Sequence, residues 1–77
     1  MNNIQVLGSG CAKCIKTAQR IDDIIAEQGI EGDITKVSDP ETIMNYGVMQ
    51  TPAVVLNGVV VHTGSIPHRD QIISWFG

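Results

Sequence analysis

Apolar and polar residues alternate along the chain with two different periods, and the changes of period divide it into segments. Residues 4–7 (IQVL) are predicted to form a short strand that ends in a glycine-containing turn. From Ala12 to Gly29 the apolar residues recur every three or four positions, which predicts an amphipathic helix of about four turns. The positions assigned to its buried face are Ile15, Ala18, Ile21, Ile24 and Ile25.

A second strand and a short helix follow in the pattern. Residues 33–37 (DITKV) are predicted to form the strand, and the sequence SDPE at 38–41 is typical of a helix start. Either Ser38 or Asp39 can supply the N-cap of this helix, which we expect to run to about Tyr46. A strand, a helical crossover and a second strand predict a parallel pair of strands with a right-handed connection.

The second half of the chain predicts a hairpin and a closing helix. Residues 53–62 (AVVLNGVVVH) are two β-branched runs separated by Asn57-Gly58, the pair that a type I′ turn prefers. Helical spacing then returns after Gly64, with one face formed by Ile66, Ile72, Ile73 and Phe76. The sequence therefore predicts an α/β fold of order β-α-β-α-β-β-α, in which three helices flank a four-stranded mixed sheet.

Composition and charge narrow the class of protein. With 77 residues, of which 43% are hydrophobic, we expect a single domain over residues 1–77 with an aliphatic core. The net charge of −3 comes without a basic run, so the electrostatic pattern of nucleic-acid binding is missing. No apolar stretch approaches the ~20 residues of a membrane span, and the N-terminus lacks the features of a secretory signal. We therefore expect a cytoplasmic monomer that binds neither nucleic acid nor membrane.

The chemistry concentrates in the two cysteines, Cys11 and Cys14, which lie between the first strand and the first helix. Three kinds of site are compatible with a Cys-x-x-Cys pair: a structural disulfide, a pair of metal ligands or a redox-active dithiol. A structural disulfide is disfavoured, because stable disulfides are uncommon in the cytoplasm and so short a loop constrains little of the unfolded chain.

A redox-active dithiol fits the position of the pair. A cysteine at a helix N-terminus is stabilised as a thiolate by unpaired backbone N–H groups and by the positive end of the helix dipole. Cys11 is placed there, and Cys14 follows within one helical turn. This spacing predicts that Cys11 attacks a disulfide and that Cys14 then resolves the mixed disulfide by forming Cys11-Cys14.

Metal binding is the alternative, since a Cys-x-x-Cys pair on such a loop can hold Cu(I) or half of a zinc site. Small soft-metal carriers share this motif but have a different order of elements, β-α-β-β-α-β. A zinc site that included His62 and His68 would need ligands about fifty residues away. We expect both histidines to be ordinary surface or partly buried residues and Trp75 to pack on the core. Met44 and Met49 are expected to fill gaps near the second helix and the loop before Pro52. Met49 could instead form an apolar rim beside the cysteines.

With these elements placed, the chain resembles the thioredoxin superfamily. It is most similar to the small, glutaredoxin-sized redox-active disulfide proteins of archaea and bacteria. Three features carry the resemblance, which covers nearly the whole chain: GCAKC at 10–14, QTPAVVLNGVVV at 50–61, and Gly64 ahead of the last helix. The resemblance implies a thioredoxin-like fold and a protein-disulfide oxidoreductase, with a protein disulfide as substrate, an upstream thiol reductase as partner and no cofactor or metal.

The resemblance also assigns a role to Thr51 and Pro52. In this superfamily the matching proline follows a cis peptide bond and faces the dithiol. The backbone of the preceding residue, here Thr51, pairs with the bound substrate chain. The Thr51-Pro52 step lies far from the cysteines in the sequence, so its position in the structure is an independent test of the resemblance.

Some positions depart from the superfamily pattern. Ser9-Gly10 stand where an aromatic residue usually precedes the first cysteine. The dipeptide Ala12-Lys13 between the cysteines tunes the redox potential, and it contains no proline that would allow a value to be carried over from relatives. The glutathione site of glutaredoxins is poorly matched, because no basic residue precedes Cys11 and GSIPH at 64–68 lacks the usual pattern. We expect a protein disulfide to be the substrate rather than glutathione.

Overall fold

The structure is a computed structural model that describes residues 2–76. The predicted order of elements, β-α-β-α-β-β-α, is confirmed. The elements are β1 (Asn2–Leu7), α1 (Ala12–Gln28), β2 (Gly32–Val37), α2 (Pro40–Asn45), β3 (Ala53–Leu56), β4 (Val59–Thr63) and α3 (Arg69–Phe76). The predicted α/β fold with a four-stranded mixed sheet and three helices is therefore the observed architecture.

The strands lie in the order β2-β1-β3-β4. β1 pairs in parallel with β2, whereas β3 pairs antiparallel with both β1 and β4. In the antiparallel register Leu7 lies opposite Ala53 and Ile4 lies opposite Leu56. The C-terminal end of β1 and the N-terminal end of β3 therefore meet at one end of the sheet, and the β3–β4 turn lies at the other.

Alternate residues of the strands fill two apolar clusters, as the period of two along a strand requires. Ile4, Val6 and Val54 contribute to the larger cluster, which packs against α1 and α3. Leu7 and Val55 contribute to the smaller cluster, which packs against Ile43 and Tyr46 at α2. The sheet is thus covered on both faces, and the ends of its strands are left free to carry loops.

Local sequence signals determine where α1 ends and where α2 begins. Gly29 adopts the left-handed conformation (φ 66°) that closes α1, as predicted. Of the two candidate N-caps for α2, the structure uses Asp39, whose carboxylate accepts hydrogen bonds from the N–H and the hydroxyl of Thr42. The helix ends at Asn45, one residue before the predicted end.

Several apolar residues lie in environments that differ from those the sequence predicts. Ile15 lies on the edge of the apolar stripe of α1 and is 41% exposed. Met44 and Met49, expected to fill gaps, are 74% and 96% exposed. Ile66 precedes α3, which begins at Arg69.

Among residues 2–76, no helix combines the length and the apolar character needed to cross a membrane.

Candidate active site

The start of α1 brings the two cysteines together at the end of β1. Cys11 is the N-cap of α1, with extended backbone angles (φ −67°, ψ 166°), and Cys14 lies in the first turn. The two sulfur atoms are 2.7 Å apart, and the Cys11 sulfur also accepts a hydrogen bond from the Cys14 N–H at 3.4 Å. The Cys11 side chain is exposed, whereas Cys14 is only 5% exposed. The helix start therefore presents one thiol to solvent and holds the other beneath it.

This asymmetry shifts the two thiol pKa values in opposite directions. The pKa of Cys11 is lowered, first by the hydrogen bond with the Cys14 thiol and then by the backbone N–H of Cys14. The pKa of Cys14 is raised, first by burial and then by its contact with Cys11. A thiolate is the nucleophilic form of cysteine. At a given pH Cys11 thus has the larger thiolate fraction, and Cys14 is the thiol that keeps its proton.

The Thr51-Pro52 step lies at the same end of the sheet, because Pro52 directly precedes Ala53, the partner of Leu7. The peptide bond between Thr51 and Pro52 is cis, as the resemblance implied. A Cβ atom added at Gly8 would lie 3.7 Å from the Thr51 Cβ and 2.2 Å from the Cys14 sulfur. Thr51 and the buried thiol therefore adjoin the same point, although they are far apart in the sequence.

A backbone hydrogen bond fixes Pro52, whereas Thr51 beside it has none of this kind among residues 2–76. The Pro52 carbonyl accepts a hydrogen bond of 2.9 Å from the N–H of Gly64, which fixes the loop before β3 to the end of β4. Among residues 2–76, no backbone hydrogen bond outside the helices and strands uses the N–H or the carbonyl of Thr51. Thr51 itself is exposed and Pro52 is buried. The N–H and carbonyl of Thr51 thus take no part in the backbone hydrogen bonding that fixes Pro52 to Gly64.

The two residues between the cysteines, Ala12 and Lys13, are exposed in the first turn of α1. The Lys13 carbonyl accepts a hydrogen bond of 2.8 Å from the hydroxyl of Thr17, a fully buried polar residue of the same helix. The backbone N–H of Lys13 also contributes to lowering the pKa of Cys11. Of the two residues, Lys13 thus contacts Cys11 through its backbone N–H.

The histidines considered as metal ligands have other neighbours. The Nε2 atom of His62 lies 3.0 Å from the hydroxyl of Ser65, and its ring lies 6.2 Å from that of Trp75. Trp75 packs on the larger apolar cluster, as expected, and His68 is exposed. Within the part of the chain that the structure describes, no three His, Cys, Asp or Glu side chains form a group able to hold a metal ion.

One residue of this region has a contact that the sequence did not indicate. Gly8 was predicted only as part of a turn, yet the Cys14 sulfur lies where its side chain would be. No periodicity or motif relates a glycine to a thiol six residues later. Only the three-dimensional arrangement identifies this contact.

Comparisons with known proteins agree with the fold described above. A family model described as a thioredoxin domain matches residues 2–77. A thioredoxin of Methanocaldococcus jannaschii is 36% identical over 69 residues, which cover 90% of this chain and 79% of the relative. A probable thioredoxin of Methanothermobacter thermautotrophicus is 34% identical over 74 residues, and the match covers 91% of this chain and 86% of that relative.

A solved structure, described as that of a malarial protein, shares the fold. Its TM-score is 0.69 at 14% sequence identity, and the match covers 96% of this chain and 91% of the other. The similarity of that structure supports the architecture, while the matching family model and the archaeal relatives support the family. This chain belongs to the thioredoxin domain family.

Proposed function

We propose that this protein is a thiol–disulfide oxidoreductase that acts on protein disulfides, with Cys11 as the attacking residue and Cys14 as the resolving residue. Membership of the thioredoxin domain family supports an oxidoreductase in general. The observation that carries the assignment of roles is the pairing of an exposed thiol of lowered pKa with a buried thiol of raised pKa, 2.7 Å away.

The reaction proceeds in two exchange steps. The Cys11 thiolate attacks one sulfur of the substrate disulfide, forms a mixed disulfide and releases the other substrate sulfur as a thiolate. Cys14 then loses its proton to solvent or to the departing thiolate, and its sulfur attacks that of Cys11. The Cys11–Cys14 bond forms as the bond from Cys11 to the substrate breaks. Two electrons pass to the substrate, and the reverse sequence oxidises a substrate dithiol.

The surroundings of the dithiol support a peptide substrate. We propose that the open N–H and carbonyl of Thr51 pair with an extended segment of the substrate, with Pro52 holding Thr51 beside the thiols. In this arrangement the substrate disulfide reaches the exposed Cys11 while Cys14 stays beneath it. In the proposal Ala12 and Lys13 tune the redox potential, and the Lys13 backbone N–H, which helps to lower the pKa of Cys11, supports this role.

The proposed cycle needs a partner that returns the disulfide to the dithiol. An upstream thiol reductase supplies these electrons in the proposal, and the chain itself carries the chemistry without a bound cofactor, as one domain over residues 1–77. Glutathione is the weaker candidate, because the sequence before Cys11 and at 64–68 does not match a glutathione site. A reducing compartment such as the cytoplasm suits a pair that must be returned to the dithiol form.

A redox titration with variants at both cysteines tests this function. The protein is equilibrated in mixtures of reduced and oxidised dithiothreitol and its free thiols are counted. The wild type is expected to show one reversible two-electron transition, which Cys11→Ser and Cys14→Ser both abolish. Incubation with a disulfide-containing protein should leave Cys14→Ser trapped as a mixed disulfide, whereas Cys11→Ser should form no such adduct.

The same samples distinguish the alternative function, a soft-metal carrier. Thiols that fail to cycle, together with tight binding of one Cu(I) or Zn²⁺ ion per chain, would overturn the oxidoreductase proposal. A trapped mixed disulfide on Cys14 in Cys11→Ser, with none on Cys11 in Cys14→Ser, would reverse the assigned roles.

A further inference from the structure

Gly8 lies directly after β1, at the point where the chain leaves the sheet. Its backbone N–H donates a hydrogen bond of 2.9 Å to the carbonyl of Val37, so the pairing of β1 with β2 continues one residue past the strand. Gly8 is buried, and its φ lies outside the left-handed region that favours glycine. Backbone conformation therefore gives no reason for a glycine at this position.

The reason lies in the space beside its Cα. A Cβ atom at residue 8 would be 2.2 Å from the sulfur of Cys14 and 3.2 Å from the Cβ of Cys14. Both distances are shorter than an ordinary van der Waals contact between such atoms, which is about 3.5–4.0 Å. The buried thiol thus occupies the volume that any other residue at position 8 would need.

We propose that Gly8 is a positioning residue, whose missing side chain lets the sulfur of Cys14 lie against the backbone of the sheet and within reach of Cys11. This inference rests on the proposed function, in which Cys14 resolves the mixed disulfide. The Cys14 sulfur lies 2.2 Å from the position of the missing Gly8 Cβ and 2.7 Å from the Cys11 sulfur, so both neighbours restrict it.

The confinement matters because the Cys14 thiol has few other places to go. Its position depends on one side-chain torsion, and a helix allows few values of that torsion. A methyl group at residue 8 would turn the sulfur away or push the start of α1 from the sheet. Either movement lengthens the path to Cys11, and exchange reactions are sensitive to displacements of about 1 Å.

The expected defect falls on the second exchange step. In that step the Cys14 thiolate attacks the Cys11 sulfur of the mixed disulfide, and the electron pair of the broken bond leaves with the substrate sulfur. The first step uses the exposed Cys11 sulfur alone. A displaced Cys14 thiol also weakens the hydrogen bond that lowers the pKa of Cys11, so the first step is compared at a pH where Cys11 is fully ionised.

A bis(nitrobenzoate) disulfide separates the two steps, because each step releases one coloured thiolate. With the reduced wild type we expect two rapid phases in stopped flow. With Gly8→Ala we expect the first phase to persist and the second to slow about tenfold or more, with the adduct on Cys11 visible by mass spectrometry. The matched control is Gly32→Ala, whose Cβ would lie 3.2 Å from the flexible end of Ile4, 3.4 Å from the Asn2 carbonyl oxygen and 3.6 Å from the Asn2 Cβ, away from both thiols. Its second phase should equal that of the wild type.

The outcomes separate this inference from the proposed function. A wild type that releases one thiolate and never closes Cys11–Cys14 contradicts the proposed function. A wild type that closes the disulfide, together with Gly8→Ala that closes it equally fast, overturns the role of Gly8 alone.

A stability comparison keeps the inference testable if Gly8→Ala folds poorly. Removing the sulfur in Cys14→Ala takes away the contact at 2.2 Å and leaves the residue-14 Cβ at 3.2 Å and the Thr51 Cβ at 3.7 Å. The fall in Tm caused by Gly8→Ala should therefore be clearly smaller in the Cys14→Ala background than in the reduced wild type. An equal fall in both backgrounds would show that the sulfur does not occupy the space, and the inference would be wrong.

Discussion

At one end of the sheet β1 ends in the turn from Gly8 to Gly10, beside the two cysteines. At the other end Asn57-Gly58 joins β3 to β4. Both turns contain glycine, and both connect elements through a few residues. In the hairpin turn Asn57 and Gly58 adopt φ values of 50° and 85°, which match the two left-handed positions of a type I′ turn. Nothing lies within 4 Å of the Cβ that Gly58 lacks.

The dithiol end combines two different requirements. Gly10 resembles Gly58, with φ 83° and open space where its Cβ would be. Gly8 has ordinary backbone angles, and its requirement comes from the thiol of Cys14. The glycine of the hairpin turn is therefore required by its own backbone conformation. At the dithiol end, Gly8 is instead required by the side chain of a neighbouring element, and this difference can be measured.

The largest effect is expected at the dithiol end, from Cys14→Ala. This variant removes the hydrogen bond that contributes most to the lowered pKa of Cys11. The pKa of Cys11 should rise, so that a smaller fraction is thiolate at neutral pH and alkylation by iodoacetamide slows several-fold. Rates measured from acidic to alkaline pH should show the midpoint moving upward, with similar rates for both proteins at high pH.

A variant at the hairpin end provides the control for this measurement. Asn57→Ala should leave the pH midpoint of Cys11 alkylation at its wild-type value, because Asn57 lies at the opposite end of the sheet. An unchanged midpoint in Cys14→Ala would mean that the neighbouring thiol does not stabilise the Cys11 thiolate. The two ends would then not differ in the way proposed.

The next effect is one of stability, and it concerns the hairpin end. The Asn57 side chain accepts a hydrogen bond of 2.8 Å from the N–H of Asn3, and Asn tolerates positive φ better than Ala does. The Asn57 amide also donates a hydrogen bond of 3.1 Å to the side-chain oxygen of Asn2. Asn57→Ala should lower the free energy of unfolding by about 2 kcal/mol, which combines the loss of these exposed side-chain hydrogen bonds with backbone strain. Asn57→Gly loses the same hydrogen bonds without the strain and should cost about 1 kcal/mol. Urea denaturation of the reduced proteins measures the loss of unfolding free energy in each variant. Equal losses in the two variants would show that the positive φ of residue 57 does not contribute.

The features of the fold that local residues determine could be predicted from the sequence. Period, caps and turn residues are local signals, and they were sufficient for the order of elements, for the Asn57-Gly58 turn and for the end of α1 at Gly29. The Cys-x-x-Cys motif located the dithiol, because a helix start changes thiol chemistry wherever it occurs. The position of Thr51 beside Cys14 followed only from the resemblance.

Features that depend on contacts between distant segments were missed. Periodicity gave Ile15 to the buried face, but it could not show that the edge of the stripe at the start of α1 is left uncovered. Met49 was assigned to a gap because it is apolar, yet the loop before Thr51 carries it into solvent, where it is 96% exposed. Gly8 was indistinguishable from a turn glycine for the same reason. The surroundings of each of these residues are formed by segments that are distant in the sequence, so local patterns do not predict them.

The smallest effect tests whether the two glycines of the dithiol turn really differ. Gly10→Ala and Gly58→Ala each place a side chain at positive φ in open space, so both should cost only the strain of that conformation, about 1 kcal/mol. Urea denaturation of the reduced proteins should therefore give closely similar losses at the two ends of the sheet. A much larger loss for Gly10→Ala than for Gly58→Ala would contradict the comparison, since conformation alone could no longer account for Gly10. Similar losses would leave Gly8 as the glycine of this turn whose role depends on the thiol rather than on its own backbone.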